Sequence, residues 1–204
     1  MSLKDGMQNR IDKAAFGSAF IVSDFTDMMD YETAKKNLTR FEKEGMIRRV
    51  MRGVYDKPRY SNLLQENAVP NPEKVAKAIA RNYNWTIAPT GDAALNLLGI
   101  STQVPSKWEY VSSGPYKEYN IEGAQISFLH RADSVVFGMS YKSALVVQTL
   151  KKVGRENTDD HIINKLRMVL TDEEIKMLEE DGRQSLPWIY SVIKQIASRG
   201  KNNV

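Results

Sequence analysis

The 204-residue chain contains no cysteine. That excludes a disulfide scaffold, a zinc ribbon, a thiol nucleophile and an iron–sulfur site. Only two histidines are present, His130 and His161, so a histidine-rich metal site within one chain is excluded as well. No window approaches the 18 or so consecutive apolar residues of a membrane span. The start, Met1-Ser2-Leu3-Lys4-Asp5, is not followed by the apolar stretch of a signal peptide. No internal repeat or low-complexity tract is visible. What remains is ordinary globular usage, with 42% hydrophobic and 26% charged residues. The expectation is a soluble cytoplasmic protein without a cofactor.

Charge of one sign is also scarce in the sum: 29 Lys and Arg against 25 Asp and Glu leave only +4. Along the chain the distribution is uneven. Lys35, Lys36, Arg40, Lys43, Arg48, Arg49, Arg52, Lys57 and Arg59 fall in one stretch with only three acids, Glu42, Glu44 and Asp56. Nine bases against three acids make a block of +6 on a remainder of −2. A local basic block on a near-neutral body is the footprint of a phosphate-contacting surface. A solvated helix face followed by a basic loop would give the same count.

The block coincides with a recognisable order of elements. Met7, Ile11, Ala14 and Ala15 predict a first helix ending near Phe16-Gly17. Phe20-Ile21-Val22 is a short apolar run, after which Ser23 or Asp24 can cap a short helix carrying Phe25 and Met28. Asp30 caps a third helix running to Glu44, with Gly45 as its stop. Met46–Val50 and Gly53-Val54-Tyr55 then read as two strands about a turn. Three helices and a hairpin within about 60 residues is the order of a winged helix-turn-helix.

In the third helix Ala34, Leu38 and Phe41 form one apolar stripe. At 100° per residue, Glu32, Lys36, Thr39 and Lys43 point the opposite way, with Thr33, Lys35 and Arg40 on the flanks. Such groups donate to phosphate oxygens or base edges in a major groove. Expected base-edge contacts are Thr33, Lys36, Thr39 and Arg40. Expected backbone contacts are Lys35, Lys43, Arg48, Arg49 and Arg52. Glu32 either reads a cytosine or serves the helix dipole.

Residues 61–71 read as a linker, with Asn71 and Pro72 opening a helix that turns Val75, Ile79 and Tyr83 inward. Residues 72–200 are expected to form an α+β domain. It would hold a strand at Trp85–Ala88, a helix capped by Thr90, strand-like runs at 107–111, 116–121 and 124–130, and C-terminal helices. Ser140 caps the first of those helices, a second run holds Ile162, Ile163 and Leu166, the capping box Thr171–Glu174 starts a third and Pro187 opens the last. The tail 200–204 is expected to fray.

Residues Leu38–Arg59, with the runs Gly45-Met46-Ile47-Arg48-Arg49 and Gly53-Val54-Tyr55, resemble the winged-helix end of AbiEi-type antitoxins of type IV toxin–antitoxin, or abortive-infection, systems. Residues Ile87–Pro105, with Pro89-Thr90-Gly91 and Gly99-Ile100, resemble a second block of an allied, uncharacterised winged-helix family. Phe128-Leu129-His130-Arg131 fits the same pattern. The resemblance spans roughly residues 5–131. It implies a bacterial protein that binds double-stranded DNA at its own promoter as a repressor, as a monomer or a dimer. It also implies a second domain that counters a nucleotidyltransferase-like toxin without a stable complex.

Catalytic patterns are thin. Pro89-Thr90-Gly91 lacks the lysine of a phosphate loop. Asp159-Asp160-His161 reads as a solvated first turn, Ser112-Ser113-Gly114 as a turn, and His130-Arg131 as a hydrogen-bonding pair at a sheet edge. Trp85, Trp108 and Trp188 are expected to pack in the core. The expectation is therefore a binder and not an enzyme. Two alternatives stay open: an interaction module without specific DNA binding, and an enzyme acting through the His130 region.

Overall fold

The computed structural model describes residues 3–63, 65–131 and 135–198. The chain is α+β and divides into two compact units, Met1–Trp85 with Asn120–Ala124, and Thr86–Tyr119 with Gln125–Val204. The expected fraying of residues 200–204 lies outside the described residues.

The first unit begins with α1 (Leu3–Lys13), which buries Met7 and Ile11 completely. The helix stops short of Phe16. The Lys57 ammonium takes the carbonyls of Asp12 (2.7 Å) and Ala14 (3.0 Å), groups that the helix end leaves open. Strand β1 (Ala19–Ile21) follows. The expected second helix is a single 3₁₀ turn, Val22–Phe25. Asp24 accepts from the Ile21 N–H at 2.9 Å and sets that turn. The Met28 and Met29 N–H groups then return to the Phe25 carbonyl (3.1 and 3.3 Å), closing isolated turns before Asp30 starts the next helix.

Helix α2 (Tyr31–Lys43) matches its expected bounds to within a residue. Asp30 caps it, accepting from the Thr33 N–H at 3.0 Å. At the other end Gly45 takes a positive φ of 73°. Met46 N–H then reaches back to the Phe41 carbonyl (2.9 Å) and Gly45 N–H to that of Glu42 (3.1 Å). This double return is the Schellman closure, and it needs a residue tolerant of the left-handed region at Gly45. Ala34, Leu38 and Phe41 are fully buried against Met7, Ile11, Phe25, Ile47 and Tyr55.

Strands β2 (Arg48–Met51) and β3 (Val54–Asp56) form the hairpin, turning at Arg52-Gly53, with Gly53 at φ 81°. β3 lies between β1 and β2, and both pairings are antiparallel. Arg48 stands opposite Asp56 and Arg49 opposite Tyr55, with an irregularity in register between Arg49 and Met51. The short strands β4 (Tyr60–Ser61) and β5 (Glu66–Asn67) occupy part of the expected linker.

Helix α3 (Pro72–Tyr83) is capped by Asn71 as expected and buries Val75 and Ile79. It belongs to the first unit, so the division falls after Trp85 and not within 61–71. A long-range tie holds it there: Arg81 binds both carboxylate oxygens of Asp24 (2.9 and 3.1 Å) and the Ala19 carbonyl (3.1 Å), joining α3 to β1 and the 3₁₀ turn. Tyr83, expected inward, is 47% exposed and stacks on Trp85 with ring centroids 4.9 Å apart.

The second unit, apart from the residues Asn120–Ala124 counted with the first, carries a four-stranded sheet of β6 (Ile87–Thr90), β7 (Lys107–Ser112), β8 (Lys117–Ile121) and β9 (Ala124–His130), in the order β6-β7-β9-β8. β6 and β7 are antiparallel, whereas β7 and β9 run parallel. The helices are α4 (Gly91–Leu97), α5 (Tyr141–Val153), α6 (Asp160–Val169), α7 (Asp172–Asp181) and α8 (Pro187–Ser198). Every residue of α5 from Ser143 to Leu150 is buried. A helix apolar all round belongs inside, and α5 packs against β6, α4, α7 and α8. Ser140 and the Thr171–Glu174 box cap their helices as expected, and Asp159, expected only within a solvated first turn, caps α6.

The Asp30 cap makes a pH-dependent contribution. Hydrogen bonding from the Thr33 side chain, then from its backbone N–H, holds the Asp30 carboxyl below its ordinary value. A depressed folded-state value gives stability that is present above the unfolded value of about 3.9 and fades as pH falls through the folded one. Asp30→Asn keeps a capping oxygen but removes the titration. Thermal melts between pH 6 and strong acid are expected to show a shallower acid decline in Asp30→Asn than in the parent. Parallel declines would contradict a charge-dependent cap.

Candidate nucleic-acid interface

Because α2 buries Ala34, Leu38 and Phe41, its opposite face is forced into solvent. Lys36, Thr39 and Lys43 are exposed there, along with Glu32. Lys35 and Arg40 are exposed on the flanks, and Thr33 is half-buried. The helix engages several of these groups internally. Thr33 serves the Asp30 cap. The Thr39 hydroxyl donates to the Lys35 carbonyl at 3.0 Å, leaving its lone pairs outward. Lys35 Nζ lies 3.5 Å from Glu32 Oε1, and Arg40 Nε donates to Glu44 at 2.8 Å. These are exposed pairs along one helix, each worth only a few tenths of a kcal/mol, and are readily exchanged for a phosphate or base partner.

The hairpin separates its three arginines. On a strand successive side chains point to opposite faces. Arg49 projects into solvent, and Arg52 sits exposed at the turn. Arg48 faces the other way. Its guanidinium grips Asp56 with two hydrogen bonds (2.7 and 3.0 Å) and the Ala68 carbonyl with a third (3.0 Å). Asp56 is only 1% exposed. Hydrogen bonding to Asp56 raises the Arg48 pKa above its ordinary value. Arg48 thus joins β2, β3 and the chain after β5, and is not presented with the other candidates. Lys57, spent on the end of α1, is likewise structural.

Among the described residues, Lys36, Lys43, Arg49, Arg52 and Arg59 are exposed with no ion-pair or hydrogen-bond partner. The structure therefore places four of the nine sequence-predicted residues as open cations: Lys36 and Lys43 on α2, Arg49 and Arg52 on the hairpin. Arg59 was counted in the basic block but not expected in the site; its position just beyond Pro58 gave no pattern to use. The counter-ion of Arg48 was also missed, although Asp56 is its cross-strand partner and a register count from the turn points to it.

Other candidates resolve into structural roles. The Thr90 hydroxyl does not cap α4; it donates to Gln148 of α5 at 3.0 Å. Gly91 has φ 60°, and a Cβ there would lie 3.1 Å from a carboxylate oxygen of Glu109. A carboxylate at that turn opposes anion binding. His130 Nδ1 lies 2.8 Å from the Gly114 carbonyl, and Arg131 donates to the Tyr116 hydroxyl (3.0 Å) and the His130 carbonyl (2.8 Å). The Ser112 hydroxyl accepts from the Gly114 N–H at 3.0 Å, holding the turn. Trp108 is buried and Trp188 packs on the core, while Trp85 is only half-buried. No group of three or more His, Cys, Asp or Glu able to hold a metal occurs among the described residues. No described helix is long and apolar enough to cross a membrane.

Residues 6–178 match the model of a family described as "Family of unknown function (DUF6088)". The chain belongs to the DUF6088 family. The match runs from α1 into α7, so the basic face of α2 and the arginine hairpin both lie within the DUF6088 region. Among solved structures, this DUF6088 chain is similar to the "RV2827C protein from Mycobacterium tuberculosis", at 13% identity and a TM-score of 0.36, over 90% of this chain and 72% of that one. No curated protein matches.

The two classes of arginine are separable by experiment. Arg48→Met strands a buried carboxylate and is expected to lower the unfolding free energy by about 3 kcal/mol. Arg49→Met and Arg52→Met remove exposed charges and should stay within about 0.5 kcal/mol of the parent. Urea titrations of the three variants check this. Equal effects at Arg48 and Arg49 would contradict the assignment.

Proposed function

We propose that the chain binds double-stranded DNA through its first unit and acts as a transcriptional repressor of its own promoter in the bacterial cytoplasm. The observation that carries this reading is the order α1-β1-3₁₀-α2-β2-β3 with β3 between β1 and β2, in which a helix with a basic outer face is followed by an arginine-bearing hairpin turn. We read that order as a winged helix-turn-helix, with α2 as recognition helix and β2–β3 as wing. Lys36, Thr39 and Arg40 then address base edges in the major groove. Lys43, Arg49 and Arg52 neutralise phosphates. The 2.8 Å pair with Glu44 holds Arg40 along the helix until DNA replaces its counter-ion.

Two further parts of the reading have other grounds: the resemblance to AbiEi-type antitoxins supports a second unit that antagonises a nucleotidyltransferase-like toxin without a stable complex, and the thin catalytic patterns of the sequence support a binder without a catalytic step. Co-expression of the full chain with a neighbouring nucleotidyltransferase gene tests the first part. Restored growth supports it, and continued toxicity removes it.

For DNA binding, fluorescence anisotropy on upstream and scrambled duplexes at two salt concentrations is decisive. Arg49→Met or Arg52→Met is expected to weaken both duplexes alike and to lower the slope of log affinity against log salt by about 0.9. Lys36→Met or Arg40→Met should narrow the gap between the duplexes. Equal affinity of the parent for both sequences would sink the repressor reading.

A further inference from the structure

The proposed interface carries one feature that phosphate attraction does not explain. Glu32 lies on the outer face of α2 among Lys36, Thr39 and Lys43, and its side chain is 65% exposed. A carboxylate there repels DNA backbone. The other acids of this segment are placed differently: Asp30 is the cap, Glu42 is half-buried, and Glu44 pairs with Arg40. Glu32 is the second residue of α2, in the part of a recognition helix that meets base edges. Its carboxylate oxygen and the Lys35 ammonium, 55% exposed, stand 3.5 Å apart.

We propose that Glu32 and Lys35 act together as the specificity element of this face and read one C·G base pair in the major groove. The inference rests on the DNA-binding reading above. In a C·G pair the cytosine N4 amino group donates to guanine O6, so these two atoms are themselves about 2.9 Å apart. N4 keeps a second hydrogen pointing into the groove, and O6 keeps a lone pair. An acceptor and a donor at 3.5 Å, presented side by side, complement that edge: Glu32 accepts from N4 while Lys35 donates to O6 and the adjacent N7. Reversing the pair to G·C sets the carboxylate against O6 and N7, two acceptors. An A·T pair also offers an amino group next to a carbonyl. But adenine N7, an acceptor, then flanks the carboxylate, and the thymine methyl replaces the second acceptor of the ammonium. The same carboxylate weakens binding to unmatched DNA, which sharpens discrimination from both sides.

The experiment is selection of preferred sites from a randomised duplex library by the full-length protein, followed by anisotropy on the selected site with each base pair replaced singly. Wild type, Glu32→Gln and Lys35→Met are compared, with a thermal melt of each. Wild type is expected to lose roughly tenfold in affinity when one particular C·G pair is replaced. Both variants should lose that preference at the same position, keep their preferences elsewhere, and bind as folded proteins. Loss of preference at two different positions, or its retention in Glu32→Gln, overturns the paired reading while leaving DNA binding intact. A fall in melting temperature without a change of preference means Glu32 serves the helix dipole alone, and overturns the inference too. If wild type selects no sequence, the repressor reading fails and this inference fails with it.

Discussion

The arrangement of the first unit depends on one constraint: α2 must bury Ala34, Leu38 and Phe41. These three side chains close the core formed by Met7, Ile11, Phe25, Ile47 and Tyr55. Once they face inward, the rotation of the helix is settled, and with it the direction of every lysine and threonine on the far side. The ends are fixed as well, by the Asp30 cap and the Gly45 closure. The outer face is therefore held by the core beneath it and by its own two stops. A recognition surface gains from such rigidity, because contacts to base edges tolerate little displacement.

The hairpin depends on a second interaction of the same kind. Arg48 and Asp56 face each other across β2 and β3, and the guanidinium also takes the Ala68 carbonyl. A buried carboxylate needs its partner, so the pair locks register at the place where a slip would reverse the strand. With Arg48 turned in, alternation turns Arg49 out. One arginine thus positions its neighbour, and the basic run divides into a structural member and two exposed ones.

How far this was legible in the sequence follows from how local each signal is. The third predicted helix was readable to within a residue because its stripe, cap and stop all lie within Asp30–Gly45. The hairpin and the caps at Asn71, Ser140 and Thr171 were readable for the same reason. The failures are non-local. The second helix became a 3₁₀ turn through the Asp24 bond to Ile21 and the tie to Arg81, far along the chain. That tie also drew α3 into the first unit and moved the division past the expected linker. Thr90 looked like a cap and instead met Gln148 on α5, which no local pattern shows. The parallel pairing of β7 with β9 was hidden as well, since turn signals mark hairpins but not crossovers. At the site, charge alone nominated Arg48 with the others; only its cross-strand partner sets it apart.

The central claim is that one face of the first unit holds DNA. Amide hydrogen exchange of the full chain, with and without its upstream duplex, tests this directly. The account predicts slowed exchange in the first turns of α2 and around the Arg52-Gly53 turn, lost when salt is raised and unchanged elsewhere. Unaltered exchange at both places under conditions where the duplex is bound would contradict it.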